Sequence, residues 1–403
     1  MSLAGIKSIE DFELKDQRVF IRLDLNVPIK NGVITDDTRI RAALPTVKYA
    51  LDHKAKIILC SHLGRPKNSE DRKDFSLEPV ADRLSELLDA EVQLVEEPGS
   101  DTPKALLSGI HRRQLILLEN IRFDPGEEKN SMELANKIAS YVDIYINDAF
   151  GASHRAHATI VALPSIIKKK GLGFLMKKEI EMLDKVLIEP AKPFCALMGG
   201  SKVSDKIGVI EHLLEKIDTF VIGGAMAYTF LAAQNISVGS SKIEKDKISL
   251  AKELLGRLDA RKKKILLPVD HVIVERLEKD APSKICDVAI PAGFMGVDIG
   301  PKTIELFSQE LKKAGTVFWN GPMGVFEMPP FSKGSFKIAE VLADSTAVTV
   351  VGGGDSAAAV NASGFANKMT HISTGGGASL EYLQGDKLPG IEALRPPQRG
   401  PQK

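Results

Sequence analysis

Short apolar runs alternate with amphipathic segments along all 403 residues, and this alternation restricts the fold more than any other feature of the chain. Strand-like runs fall at 18–26, 56–61, 91–95, 114–119 and 143–147 in the first half. In the second half they fall at 194–198, 219–222, 264–269, 284–290, 316–319, 347–351 and 371–374. Helical spacing lies between them at 79–88, 132–140, 206–215, 247–258 and 332–342. Near-continuous apolar strands separated by helices predict an α/β fold with parallel sheets covered on both faces. The chain is too long for one ordinary core and suits two domains of similar size.

A change of texture near 160–190 marks the division. Lys168-Lys169-Lys170-Gly171 reads as exposed surface chain, and 174–187 as a helix bridging the domains. The expected domains are 1–170, rejoined by the segment 385–403, and 171–384 including the bridging helix. The net charge of +1 offers no field for a nucleic acid or a membrane surface, so any anion site must be local. Cys60, Cys195 and Cys286 are scattered and build neither a disulfide framework nor a CxxC site. The first twenty residues carry seven charges and hold no signal-like apolar core, and 220–233 is too short to span a bilayer. A cytoplasmic monomer is expected.

Basic residues of the first half cluster at the predicted strand ends: Arg22, Arg39, His62, Arg65, Arg122, His154, Arg155 and His157. Ligands of parallel α/β sheets lie beyond those ends, and converging guanidinium forks suit phosphate or carboxylate. A single loop arginine is ordinarily solvated surface; the whole set favours a small polyanion. Asp24 and Asn26, at alternate positions, could read a hydroxyl from one face. His154 and His157 lack a third ligand at zinc spacing.

The second half carries glycine-rich turns after almost every strand: Gly199-Gly200-Ser201-Lys202, Gly223-Gly224, Asn320-Gly321-Pro322-Met323-Gly324, Gly352-Gly353-Gly354-Asp355-Ser356 and Gly375-Gly376-Gly377. Such turns let backbone amides and helix N-termini approach phosphate. Lys202 and Lys206, four apart on an expected helix, could both reach a phosphate chain. No Walker A, protein-kinase or GxGxxG signature is present, so the nucleotide site is of another kind. Asp355 is the best single carboxylate for Mg²⁺ and equally an ordinary helix cap, with Ser356 serving phosphates. Glu327 reads either as a ribose ligand or as surface.

The strings RLDLNVP, ITDDTRIRAALPT, SHLGRP, LLENIRF, NDAFGASHRAH, GGSKVSDKI, GGAMAYTFL, VFWNGPMGVFE, VVGGGDSAA and ISTGGGASLE occur in that order and resemble the phosphoglycerate kinase family over essentially the whole chain. The resemblance implies two Rossmann-like three-layer domains, joined by a helix and hinged around a cleft. It implies 3-phosphoglycerate or 1,3-bisphosphoglycerate on the first domain, held by Arg22, Asp24, Asn26, Arg39, His62, Arg65, Arg122 and Arg155. It implies ATP or ADP with Mg²⁺ on the second. There Lys202 and Lys206 meet the phosphates, and Asp355 the metal. Glu327 would meet the ribose, and Gly223, Gly224 and Gly296 the base. Asn320, Gly352, Gly353, Gly354 and Ser356 complete that set. Arg39, Lys202, Gly353 and Gly376 would act on the transferring group. The alternatives are a binding protein without turnover and a dehydrogenase, which would need the missing acidic residue after a GxGxxG turn.

Overall fold

The computed structural model describes residues 3–111 and 113–396; the last seven residues of the expected tail lie outside these. The chain divides into two compact units, one reaching Glu181 and including the C-terminal segment from Lys387, the other Met182–Asp386. The division falls inside the helix Phe174–Leu187 rather than before it. Hydrogen bonds give the reason. Phe174 N–H donates to Thr46 Oγ1 at 2.9 Å and Met176 N–H to Asp148 Oδ1 at 2.9 Å, both in the first unit. Further along, Asp184 accepts from the Tyr382 hydroxyl at 2.7 Å, in the second.

The first unit is built on seven strands in the order Lys7–Ser8, Lys169–Leu172, Ile144–Asp148, Arg18–Leu23, Lys56–Cys60, Gln114–Leu118, Glu91–Val95. Every pairing is parallel. Every residue of Ile144–Asp148 is buried. Since successive side chains point to opposite faces, the sheet is covered on both, which makes three layers. The lysine-rich stretch expected as surface chain is the strand Lys169–Leu172, with Lys170 opposite Tyr145; Lys169 is exposed, while half-buried Lys170 donates from Nζ to the Pro164 carbonyl at 2.9 Å. A helix the sequence did not suggest, Thr38–Asp52, contains Pro45. Proline reads as a breaker, but here buried Ile40, Ala43, Val47 and Ala50 hold the helix on the core through it.

The second unit has six parallel strands, in the order Lys264–Leu266, Thr219–Ile222, Phe194–Met198, Thr316–Asn320, Val348–Gly352, His371–Ile372. Its core includes Leu197, Val221, Phe307, Trp319 and Ile338, all fully buried. The run at 284–290 does not join this sheet. Lys284–Asp287 pairs antiparallel with Asp270–Val274, which pairs antiparallel with Met295–Ile299. Parallel sheets therefore carry both units, with this antiparallel sheet added to the second.

Candidate active site

In the first unit the strand ends bring arginines together around two histidines. His62, nearly buried, is pushed well below its ordinary pKa, first by burial and then by Arg22, Arg122, Arg155 and Arg39. Burial and Arg22, Arg122 and Arg155 push His157 down to about 4. Both imidazoles are therefore neutral at physiological pH. The guanidinium of Arg122 is itself lowered by burial and by Arg155. Groups that depress one another in this way form a site short of negative charge.

Not every predicted residue lines that site. Arg39 sits on the first turn of Thr38–Asp52, not in a loop, and pairs with Asp24 at 2.9 Å. The strand before Asp24 stops at Leu23, so Asp24 and Asn26 do not share a strand face. Instead Asp24 accepts from the Asn26 N–H at 3.3 Å, and Asn26 Oδ1 accepts from the Gly64 N–H at 2.9 Å. Arg65 is exposed. Arg155 Nε lies 3.2 Å from His154 Nε2. Arg22 is fully buried. It donates to Thr159 Oγ1 at 2.8 Å and to the Leu23 carbonyl, and faces Glu127 at 3.7 Å. That placement makes Arg22 a support beneath the pocket rather than part of its lining. Glu127, also fully buried, escaped the sequence reading because Glu127-Glu128 looks like an ordinary surface acidic pair.

A pH dependence follows for His157. Between pH 6.5 and about 4 the unfolded chain takes up a proton there that the folded chain refuses, so this contribution to stability is lost as pH falls. Asp148 and Asp298, both raised to about 7 by burial, act in the opposite sense, so the comparison must be between variants. His157→Gln is expected to show a shallower fall in Tm than the parent between pH 6.5 and 4.5. Parallel curves would remove His157 from the acid response.

In the second unit a cleft of about 240 Å³ collects Gly200, Ser201, Gly224, Tyr228, Gly296, Met323, Glu327 and Asp355 among its walls. The glycine turns meet there, for a different reason than anion binding. The Gly199 N–H donates to the Asn320 carbonyl at 2.8 Å and the Gly200 N–H to the Pro322 carbonyl at 2.8 Å. The Gly223 N–H donates to the Met198 carbonyl at 2.8 Å and the Gly224 N–H to the Met323 carbonyl at 3.1 Å. A Cβ on Gly224, whose φ is +62°, would lie 2.5 Å from the Gly200 nitrogen. These glycines let three strand ends touch; their amides are already used.

The turn after Val348–Gly352 is different. Gly353, at φ +89°, caps the helix Gly354–Ala362, so the cap is not Asp355. Asp355 stands exposed in the first turn and makes no hydrogen bond or ion pair among the described residues. A Cβ on Gly354 would meet nothing within 4 Å, so that side of the residue is open. Ser356 is buried and its hydroxyl is used: it accepts from the Gly321 N–H at 2.6 Å and donates to the Gly352 carbonyl at 2.7 Å. Asn320 likewise donates to the Gly352 carbonyl at 2.7 Å. Both residues tie neighbouring strand ends together. Gly376, at φ +53°, caps the helix Gly377–Leu383.

The helix expected from Lys206 begins at Ile207, so Lys202 lies in a loop and Lys206 at the helix cap. Lys202 is exposed and makes no hydrogen bond or ion pair among the described residues. Lys206 is buried, which lowers its pKa, against the pull of Asp205, Asp355 and Glu244. A Cβ on Gly200 would lie 3.5 Å from the Lys206 Nζ. A buried ammonium with no hydrogen-bonding partner among the described residues, beside the exposed Asp355 carboxylate, suits a phosphate chain that carries a divalent cation.

The model of the family described as "Phosphoglycerate kinase" matches residues 9–386. A phosphoglycerate kinase of Bdellovibrio bacteriovorus is 63% identical over 394 residues, covering 98% of each chain. One of Anaeromyxobacter sp. is 53% identical over 97% of this chain and 99% of the relative. Among solved structures, the phosphoglycerate kinase of Coxiella burnetii superposes with a TM-score of 0.88 at 40% identity, over 96% of this chain and 98% of that one. That of Pyrococcus horikoshii gives 0.83 at 33% identity, over the same shares. With both anion-poor surfaces inside one continuous match, the chain belongs to the phosphoglycerate kinase family.

Proposed function

We propose that the chain transfers a phosphoryl group reversibly between 1,3-bisphosphoglycerate and ADP, giving 3-phosphoglycerate and ATP, in one direct in-line step. The observation that carries the chemistry is the set of mutually depressed basic groups around His62. In the direction of acyl phosphate formation the nucleophile is a carboxylate. With a pKa of about 3–4 it is already ionised, so no catalytic base is required. Neutral, nearly buried His62 suits hydrogen bonding to the substrate better than proton abstraction or covalent transfer.

In this reading Arg65, Arg122 and Arg155 hold the substrate phosphate, with His62 beside them. Asp24 and Asn26 read its hydroxyl and carboxyl end. Lys206 and the amides at Gly353-Gly354 hold the nucleotide phosphates, Glu327 the ribose, and Gly223, Gly224 and Gly296 the base. Asp355 would hold Mg²⁺, which neutralises charge on the nucleotide phosphates. Arg39, Lys202 and the amides near Gly353 and Gly376 surround the transferring group, where positive charge stabilises the equatorial oxygens. Direct transfer also requires the two substrates to come within about 3–3.5 Å, which calls for domain closure. Three free cysteines, two of them buried, fit the reducing cytoplasm, and we keep a monomer as the working state.

Purified protein given 3-phosphoglycerate and Mg-ATP is expected to form an acyl phosphate that hydroxylamine traps as a hydroxamate. ATP turnover without hydroxamate would sink the assignment. Arg65→Ala and Arg155→Ala are each expected to raise the KM for 3-phosphoglycerate about ten- to hundredfold, the scale of one lost hydrogen bond to a charged group, with little change in the ATP KM. An unaltered 3-phosphoglycerate KM in both would move the phosphate elsewhere.

A further inference from the structure

Arg39 sits on the first turn of the helix Thr38–Asp52, and part of the hold on that helix comes from a polar group two turns on. Thr46 is fully buried in an otherwise apolar stripe of Ile40, Ala43, Val47 and Ala50. Its hydroxyl oxygen accepts from the Phe174 N–H at 2.9 Å, and the hydroxyl donates to the Asp148 carboxylate. Asp148 also accepts from the Leu175 and Met176 N–H groups, the latter at 2.9 Å. The first amides of a helix have no partner within it, so Thr46 and Asp148 cap the helix Phe174–Leu187 from two other elements. The Tyr49 ring, three residues beyond Thr46, meets the Phe174 ring edge-on with centroids 5.3 Å apart.

One hydroxyl thus joins three elements: the helix bearing Arg39, the strand Ile144–Asp148 and the helix Phe174–Leu187. Valine has nearly the same shape and would suit the apolar stripe, so what sets threonine apart at this position is its hydroxyl. Arg39 and Thr46 are seven residues apart, which puts them on one face of the helix, about 10 Å along its axis. A tilt of the helix about Thr46 therefore reaches Arg39 as a displacement. Asp24 pairs with the guanidinium at 2.9 Å and fixes its tip, whereas Thr46 fixes the helix beneath it. A misplacement of about 1 Å can cost about a hundredfold in rate. We infer that Thr46 is a positioning residue for phosphoryl transfer: by tying the Phe174 N–H and the Asp148 carboxylate to its own helix, it sets where Arg39 stands.

This inference rests on the part proposed for Arg39 in transfer, and the test separates the two. Thr46→Val removes the hydroxyl and keeps the shape. In the full chain, well below its melting transition, the variant is expected to lower kcat roughly tenfold while both KM values stay within about twofold of the parent. The KM values hold because Asp148, which ends the strand leading to Arg155, keeps its Leu175 and Met176 donors. Thr46→Ser retains the hydroxyl and is expected to turn over at close to the parental rate. In an Arg39→Met background, Thr46→Val is expected to lower kcat no further. Hydrogen–deuterium exchange is expected to quicken in Thr46→Val at residues 38–44 and at Phe174. A parental kcat or unchanged exchange at 38–44 in Thr46→Val, or a loss of rate that persists undiminished in the Arg39→Met background, would overturn the role of Thr46. Arg39→Met turning over near the parental rate would instead remove Arg39 from the transfer step, and the exchange rates, which need no turnover, would still decide whether Thr46 holds that helix.

Discussion

Lys202→Met and Arg39→Met are each expected to lower kcat about a hundredfold or more, the scale seen when one preorganised electrostatic contact to a transition state is removed. The two should differ elsewhere. Lys202 is exposed and free of ion pairs and hydrogen bonds among the described residues, so its loss disturbs nothing in the resting protein. Its effect should fall on kcat, with both KM values within a few-fold of the parent. Arg39 is paired with Asp24 at 2.9 Å. Removing it frees a carboxylate beside the proposed binding place of an anionic substrate. The 3-phosphoglycerate KM should therefore rise along with the fall in kcat, and the double variant Arg39→Met/Asp24→Asn should recover part of that KM but none of the rate. Steady-state kinetics with each substrate varied in turn gives kcat and both KM values. Turnover within a few-fold of the parent in both single variants would end the charge-stabilisation account.

The parallel scaffold was legible because buried parallel strands are nearly continuous apolar runs. Phe194–Met198 and Thr219–Ile222 fall where the sequence puts them, as does the helix Phe174–Leu187. Thr38–Asp52 was hidden by Pro45, and the antiparallel strands Asp270–Val274 and Met295–Ile299 by flanking prolines and glycines that read as loop. In the candidate site the residue types were legible; which of their atoms remain free was not. Ser356 and Asn320 look like phosphate ligands until the strand ends beside them are seen to use the Ser356 hydroxyl and the Asn320 side-chain N–H. The paired glycines at 199–200 and 223–224 look like an amide cradle, yet their N–H groups serve the contacts between turns. Those outcomes depend on neighbouring strand ends brought together by the fold, such as Asn320 and Pro322 beside Gly199 and Gly200, which local spacing does not encode.

The largest effect on stability is expected at Glu127. Its side chain and that of Arg22 are both fully buried, 3.7 Å apart. Glu127 accepts from the Thr159 N–H at 2.9 Å and from the Thr159 hydroxyl at 2.7 Å, and Arg22 donates to the same hydroxyl oxygen at 2.8 Å. Burial raises the carboxyl pKa, while Arg22 and the two Thr159 donors pull it back toward the ionised form. Replacing Glu127 by Gln leaves the shape but strands a guanidinium in the interior, at a cost of about 3–5 kcal/mol, because a buried charge without its partner loses its hydration and gains nothing in return. For a unit of this size that is a fall of roughly 6–20 °C in the midpoint of its thermal transition. The substrate patch should loosen with it, since Arg22 also lies 3.4 Å from His62 Nδ1. A double variant, Arg22→Met/Glu127→Leu, should regain most of the lost stability, since an apolar pair can replace a buried ion pair at little net cost. It should not regain the 3-phosphoglycerate KM, because the support beneath His62 is gone. Differential scanning calorimetry of the parent, Arg22→Met, Glu127→Leu and the double variant closes the cycle. A Glu127→Gln variant that melts within a degree or two of the parent would mean that Glu127 is protonated in the folded protein, and that Arg22 is held by Thr159 and the Leu23 carbonyl alone.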